Sequence, residues 1–174
     1  VDDTKIDKPI SIIGVGATGS NIALLAAKMG FTKFKIWDPD IVESHNLPNQ
    51  AFYHSHIGRP KVLAMKEVLQ QFNPEIEVET HMDYFTTEKD KTNVEGILVV
   101  TVDTMSARKD ILESMKFNWR LDAIFETRLG FDHAEVNIME PMDITKIEEW
   151  AATLKDDSEI EPGPCDLQMC GTLV

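Results

Sequence analysis

Residues 14 to 19 read GVGATG and stand between the apolar run ISII and the helical pattern SNIALLAAKMGF. A chain in that order leaves a buried strand, turns within a few residues and enters a helix, which confines it to folds built on a strand–turn–helix unit. Gly14 and Gly16 permit tight bending and close approach of a phosphate, and Gly19 permits close packing of the helix. The helix N-terminus then offers unpaired N–H groups to an anion. Nucleotide binding is the stronger reading of this turn, and a plain packing turn is the weaker one.

The rest of the chain continues the alternation. FKIWD, EIEVETHM, GILVVTVD and the region of WRLDAIFET read as strands, with helices predicted over KVLAMKEVLQQF, opened by Pro60, and over TMSARKDILESMKF. FDHAEVNIME suggests one more strand and ITKIEEWAATL a last helix. Strands alternating with helices predict an α/β, Rossmann-like domain: a mainly parallel sheet with helices on both faces and an antiparallel C-terminal extension. Ligands of such sheets bind beyond the C-terminal strand ends, where Gly14, Asp38 and Asp103 fall in this reading.

Composition narrows the partners. With 174 residues and 43% hydrophobic content the chain has the material for one core, so residues 1–174 are expected to form a single nucleotide-binding domain, compatible with truncation at the C-terminus. Thirty acidic against 17 basic residues give a formal net charge of −13, which opposes binding to nucleic acid and to anionic membranes. No apolar run approaches bilayer-spanning length and VDDTKIDKPI does not resemble a signal peptide, so a soluble, cytoplasmic protein is expected. Seven acids against two lysines in residues 143–161 read as a solvated surface. Cys165 and Cys170 lack the paired C-x-x-C knuckles of a closed zinc site.

Asp38 lies 19 residues after Gly19, at the end of the second strand, where a carboxylate can accept hydrogen bonds from both ribose hydroxyls. These two features describe a nucleoside holder without choosing between NAD and ATP. The loop that follows adds, among other polar groups, the acid Asp40, the amides Asn46 and Gln50 and the cations Arg59 and Lys61. Asp40 could orient the ribose or a hydrated metal, Asn46 and Gln50 could hold phosphate or loop backbone, and Lys61 could neutralise phosphates. Lys61 sits in the first turn of its helix, where the dipole opposes a cation, and a bound triphosphate would relieve that conflict. Arg59 is either a second phosphate contact or surface charge. Asp103 could bind magnesium between phosphates or cap the next helix. Arg108 could brace that region by pairing with an acid, or simply face solvent. The set suits polyphosphate chemistry better than hydride transfer.

Taken together, GVGATGS, DPDIVESHNLPNQ, HIGRPK and VDTMSAR, with a weaker echo in ETRLGFDHAEVNIMEP, resemble the E1-like, ThiF-MoeB-type adenylating enzymes, which activate ubiquitin-like and sulfur-carrier proteins. The match covers roughly residues 10 to 141. The resemblance implies an E1-like adenylyltransferase: an ATP- and magnesium-dependent enzyme that adenylates the C-terminal carboxylate of a small carrier protein ending in glycine. In that frame Gly14, Gly16 and Gly19 form the nucleotide turn, Asp38 holds the ribose, and Asn46 and Lys61 contact the phosphates. Asp103 handles magnesium, and Gln50 matches the loop signature. Lys61, Asp103 and Asn46 are the candidate catalytic residues, and a homodimer is expected.

Three features depart from the family pattern. Asn49 stands where the family usually has a phosphate-contacting arginine, and Arg59 is the candidate substitute. The N-terminal extension that often carries an arginine to the partner subunit's site is expected to be absent or very short. Cys165 or Cys170 could receive a transferred acyl group as a thioester or bind metal, as cysteines of the family do, but their spacing differs from the usual zinc knuckle and a structural tail is the favoured reading. The alternatives are an NAD-linked oxidoreductase, which shares Gly14 to Asp38 but leaves Lys61 and Asp103 surplus, and a degenerate nucleotide- or partner-binding module.

Overall fold

The computed structural model describes residues 6–129 and 134–155. The order of elements is β1 (Ile10–Ile13), α1 (Ala17–Lys28), β2 (Lys33–Trp37), α2 (Lys61–Phe72), β3 (Glu77–His81), α3 (Thr87–Asp90), β4 (Gly96–Val100), α4 (Met105–Met115), β5 (Leu121–Leu129), β6 (Ala134–Met139) and α5 (Ile144–Ala151). The six strands form one sheet in the order β3-β2-β1-β4-β5-β6. The first five run parallel, and β6 returns antiparallel on β5, pairing Phe125 with Ile138 and Thr127 with Val136. The predicted α/β architecture and its antiparallel extension are both present. The short α3 has no counterpart in the sequence reading, since four residues carry no 3.6-residue period.

Period-2 alternation distributes the apolar side chains to two cores. Ile10, Ile12, Phe34, Ile36, Val78 and Val99 face α1 and α2. Ile13, Trp37, Leu98, Val100 and Ile124 face the opposite side, where Ile111, Leu112 and Met115 of α4 and Ile147 and Trp150 of α5 meet them. In α1 the buried positions are Gly19, Ser20, Ala23, Ala26 and Ala27, a stripe of small side chains that lets the helix lie close against β1. In α2 they include Val62, Met65 and Leu69, the i, i+3, i+7 face of an amphipathic helix. Glu148 and Glu149 of α5 are exposed, as the acidic composition of that segment predicts. Among the described residues no helix is long and apolar enough to cross a membrane.

The crossovers from β1 to β2 and from β3 to β4 lead to opposite sides of β1, so the sheet reverses its direction of growth beside that strand. Gly14 therefore emerges at a topological switch point, the place where open α/β sheets form their ligand crevice. The glycine turn is tight in a measurable sense. Gly14 has φ +92°, and an added Cβ would stand 2.9 Å from the Thr101 carbonyl oxygen; at Gly19 it would stand 1.9 Å from the Gly14 carbonyl oxygen. At Gly16 it would meet nothing within 4 Å. Gly14 and Gly19 thus serve the fold, whereas the open side of Gly16 serves no internal contact.

Gly19→Ala is expected to cost about 3 kcal/mol of folding stability, because the clash is with backbone rather than with a movable side chain. Gly16→Ala, at φ −77°, is expected to unfold within about 0.5 kcal/mol of the wild type. Chemical denaturation of the two variants side by side checks the contrast, and equal losses would refute it.

Candidate nucleotide site

Asp38 follows β2 directly and is buried, with 6% exposure. Its carboxylate accepts two backbone hydrogen bonds: the Val15 N–H donates to Oδ2 at 2.8 Å and the Asp40 N–H to Oδ1 at 2.9 Å. One side chain therefore fastens the glycine turn to the loop after β2. From the other side, Thr101 at the end of β4 donates its Oγ1 hydrogen to the Gly14 carbonyl at 2.6 Å, and its N–H donates to the Ile13 carbonyl at 3.0 Å. Thr101 escapes a reading by motif; its signal is only its place one residue beyond an apolar strand.

Residues 39–60 form a loop closed at its base and laid along the start of α1. The Val42 N–H donates to the Arg59 carbonyl and the Gly58 N–H to the Val42 carbonyl, both at 2.8 Å, while Val42 and Phe52 are buried. Asn21 donates to the Asn49 carbonyl at 3.0 Å, and the Ala51 N–H donates to Ser20 Oγ at 3.0 Å. Asn46 is buried, and its Oδ1 accepts the Glu43 N–H at 2.8 Å, so of the two roles open to it the loop-backbone role is occupied. The side chain of Asn49 is directed inward, with 5% of the residue exposed. Gln50 Oε1 is buried without a hydrogen-bond partner, an unmet acceptor beside the glycine turn's helix.

Lys61 is the first residue of α2, and its Nζ donates to Asp40 Oδ2 at 2.8 Å. The helix-dipole conflict posed by a lysine at this position is thus met within the chain by Asp40, without a triphosphate. The Lys61 side chain is 9% exposed and that of Asp40 59%, so the pair sits at the surface of the crevice with the carboxylate outermost. Arg59 pairs with Glu67 of α2. The same Glu67 lies 3.8 Å from Nε2 of His56, a fully buried histidine whose Nδ1 accepts the Tyr53 N–H. His56 is a structural pin of the loop that no sequence motif marks.

Asp103 is exposed beyond the end of β4, on the same edge as the glycine turn. The cap of α4 is Thr104, whose side chain accepts the Ala107 N–H, so the capping alternative for Asp103 falls away. Arg108 pairs with the buried Glu126 of β5, so of its two readings the brace holds and the solvent-facing one falls away. Among the described residues no cluster of three or more His, Cys, Asp or Glu side chains could hold a metal ion. A magnesium ion at Asp103 would take one carboxylate together with water and phosphate oxygens, which is how that ion is ordinarily held. A cavity of about 500 Å³ lined by Lys33, Lys35, Glu77, Glu79 and Glu95 lies at the N-terminal strand ends, away from this site. Cys165 and Cys170 lie outside the described residues.

The model of the ThiF family matches residues 7–132, most of the chain. The chain belongs to the ThiF family. Among curated proteins of known sequence, the ubiquitin-like modifier-activating enzyme 5 of Drosophila simulans is 37% identical over 81 residues, 47% of this chain and 20% of that enzyme. Its counterpart from Branchiostoma floridae is 38% identical over 82 residues, again 47% of this chain and 20% of the enzyme. The ThiF-family chain thus matches only about a fifth of the length of these relatives. Among solved structures, E. coli tRNA N6-threonylcarbamoyladenosine dehydratase TcdA in complex with AMP shares the fold at a TM-score of 0.67 and 21% identity, over 73% of this chain and 54% of that one.

Burial pushes the Asp38 carboxyl above its ordinary value of 3.8, with Lys61 and the two backbone N–H groups pulling it back. Because the folded value lies above the unfolded one, the folded chain holds more protons in the window between them. The contribution of Asp38 to stability therefore falls as pH rises through that window and is level above it. Asp38→Asn has no such proton to lose. The stability of wild type minus that of Asp38→Asn is expected to decline as pH is raised from about 4 and then to become flat. Urea midpoints measured across a pH series check this; a difference that grows with pH would mean that hydrogen bonding outweighs burial.

Proposed function

We propose that this ThiF-family chain is the nucleotide-binding part of an E1-like enzyme that uses ATP and magnesium to adenylate the C-terminal carboxylate of a small ubiquitin-like or sulfur-carrier protein. The observation that carries the reading is the open side of Gly16 in a turn whose other two glycines are filled by the fold, at the switch point of the sheet. A Cβ at Gly16 would enter the space through which a phosphate reaches the helix N-terminus. The complex of TcdA, a chain of like fold, with AMP supports an adenine nucleotide. The relatives named as ubiquitin-like modifier-activating enzymes support a ubiquitin-like protein as substrate.

In this reading Gly14 and Gly19 shape the nucleotide turn, Gly16 and the α1 N-terminus hold the phosphates, and Asp38 and Asp40 face the ribose. Lys61 moves from Asp40 toward the phosphates, and Gln50 gains a partner for its unmet oxygen. Magnesium bound at Asp103 would offset phosphate charge as the bond to the leaving group breaks. The carboxylate of the carrier is ionised at neutral pH and needs no general base, so the chain's own task is to position it and to stabilise developing charge. Asn46 keeps the loop in shape, and Arg59 would have to leave Glu67 to reach a phosphate. Assembly as a homodimer and a cytoplasmic location accompany this reading as proposals, as does the absence of nucleic-acid and membrane partners.

Calorimetric titration of the wild-type chain with magnesium-ATP and with NAD tests the assignment. Saturable ATP binding, with NAD weaker by about 10-fold or more, is expected, and Gly16→Ala and Lys61→Ala are each expected to weaken ATP binding by about 10-fold or more while remaining folded. Preference for NAD would replace the reading with an oxidoreductase. ATP binding without pyrophosphate exchange in the presence of carrier proteins would indicate a binding module, the reading that the inward Asn49 favours.

A further inference from the structure

The strand that delivers Asp103 ends at Val100, and Thr101 to Asp103 lie beyond it. They are pinned on both sides. Thr101 is fastened to the glycine turn through Gly14 and Ile13. On the opposite side the Arg108 guanidinium donates from Nη2 to the Val102 carbonyl, and from Nη1 to Glu126 Oε1 and to the Thr127 carbonyl. Asp103 follows the clamped Val102 directly and precedes Thr104, whose side chain caps α4.

Glu126 is an unusual anchor. It is fully buried, at a position of β5 that faces α5, and it accepts hydrogen bonds from Arg108, from Arg128 Nε at 3.1 Å, from Asn137 Nδ2 at 2.9 Å and from Trp150 Nε1 at 2.8 Å. A buried carboxylate is tolerated only when paired and hydrogen-bonded, and four donors from α4, β5, β6 and α5 meet that requirement. Arg108 is itself buried, and its Nε lacks a partner. The side chain bears that cost while its two terminal nitrogens reach three acceptors, one just beyond β4 and two within β5, which a lysine ammonium at one point cannot reproduce.

We propose that Arg108 is a positioning residue for the magnesium-handling Asp103: by bridging Val102 to Glu126 it holds the end of β4 in the geometry that presents the Asp103 carboxylate to the nucleotide crevice. The inference rests on the adenylation reading for its ligand, but not for the clamp itself. Through Glu126 and Trp150 the docking of α5 bears on the same strand end, so the clamp links that helix to the nucleotide edge.

The test uses the whole chain with Arg108→Lys, and two readouts. In the ligand-free protein, amide hydrogen exchange across residues 101–105 is expected to rise about 10-fold or more in the variant, while β1 and β2 keep their protection. In calorimetry, ATP without magnesium is expected to bind within about 2-fold of wild type, whereas the magnesium concentration that half-maximally tightens ATP binding rises about 5-fold or more. Asp103→Asn is expected to show the same magnesium defect, and adding Arg108→Lys to it to change that defect by less than about 2-fold, as residues acting through one carboxylate do. If Arg108→Lys does not fold, Trp150→Phe, which removes one donor from Glu126 and leaves Arg108 in place, is expected to move both readouts in the same direction by less. Exchange that rises over the whole sheet, or at no peptide, overturns the clamp, and so does a magnesium effect that adds to that of Asp103→Asn. Failure of the wild type to bind ATP would instead overturn the adenylation reading, and the exchange pattern would still decide whether Arg108 holds this strand end.

Discussion

The carboxylate of Asp38 is the interaction on which the candidate site depends. It accepts the Val15 N–H from the glycine turn, in a buried bond, and the Asp40 N–H from the loop after β2, in a partly buried one. Without an acceptor there, the Val15 N–H would be buried unpaired, at a cost of about 1–3 kcal/mol. The two segments it joins are 23 residues apart in the chain, and their union brings Lys61, through Asp40, to the same crevice. The turn, the loop and the start of α2 thus form one polar chain of contacts hung from a single side chain.

A second node, Glu126, organises the other half of the molecule. The two differ in their chemistry: Asp38 is met by neutral backbone donors, whereas Glu126 is met by two guanidinium groups, an amide and an indole. Arg128 extends this node outward, stacking over Trp150 at 5.6 Å and pairing with Glu135 at 3.5 Å. Thr101 stands between the two nodes, bonded to the glycine turn and followed immediately by the carbonyl that Arg108 holds.

Much of the fold was legible because its signals are local. ISII, KFKIW and GILVV announce buried strands by composition, and their alternation with helical periods implies a parallel sheet. α3 was not legible, since four residues cannot display a helical period. The site was legible where a backbone demand selects a residue type, as at Gly14 and Gly19, and less so where a polar side chain has several possible partners. Lys61 illustrates the limit: its position at a helix start is visible in the sequence, but the acid that answers it could be supplied by Asp40 or by a ligand. Glu126 leaves only a faint trace, an acid at a core-facing step of LDAIFETRL, where only a buried partner makes it tolerable.

By itself the sequence determined the strand–turn–helix unit, the division of apolar residues between two faces of a sheet, and the ordered motifs that mark the ThiF family, because each depends on residue type and spacing along the chain. Only the tertiary structure decided which donors Asp38 and Glu126 accept, that Thr104 rather than Asp103 caps α4, that Asn46 holds its own loop, and that Asn49 turns inward. Those outcomes depend on which of several chemically equivalent partners lies within about 3 Å, and that distance is set by the packing of segments far apart in the chain.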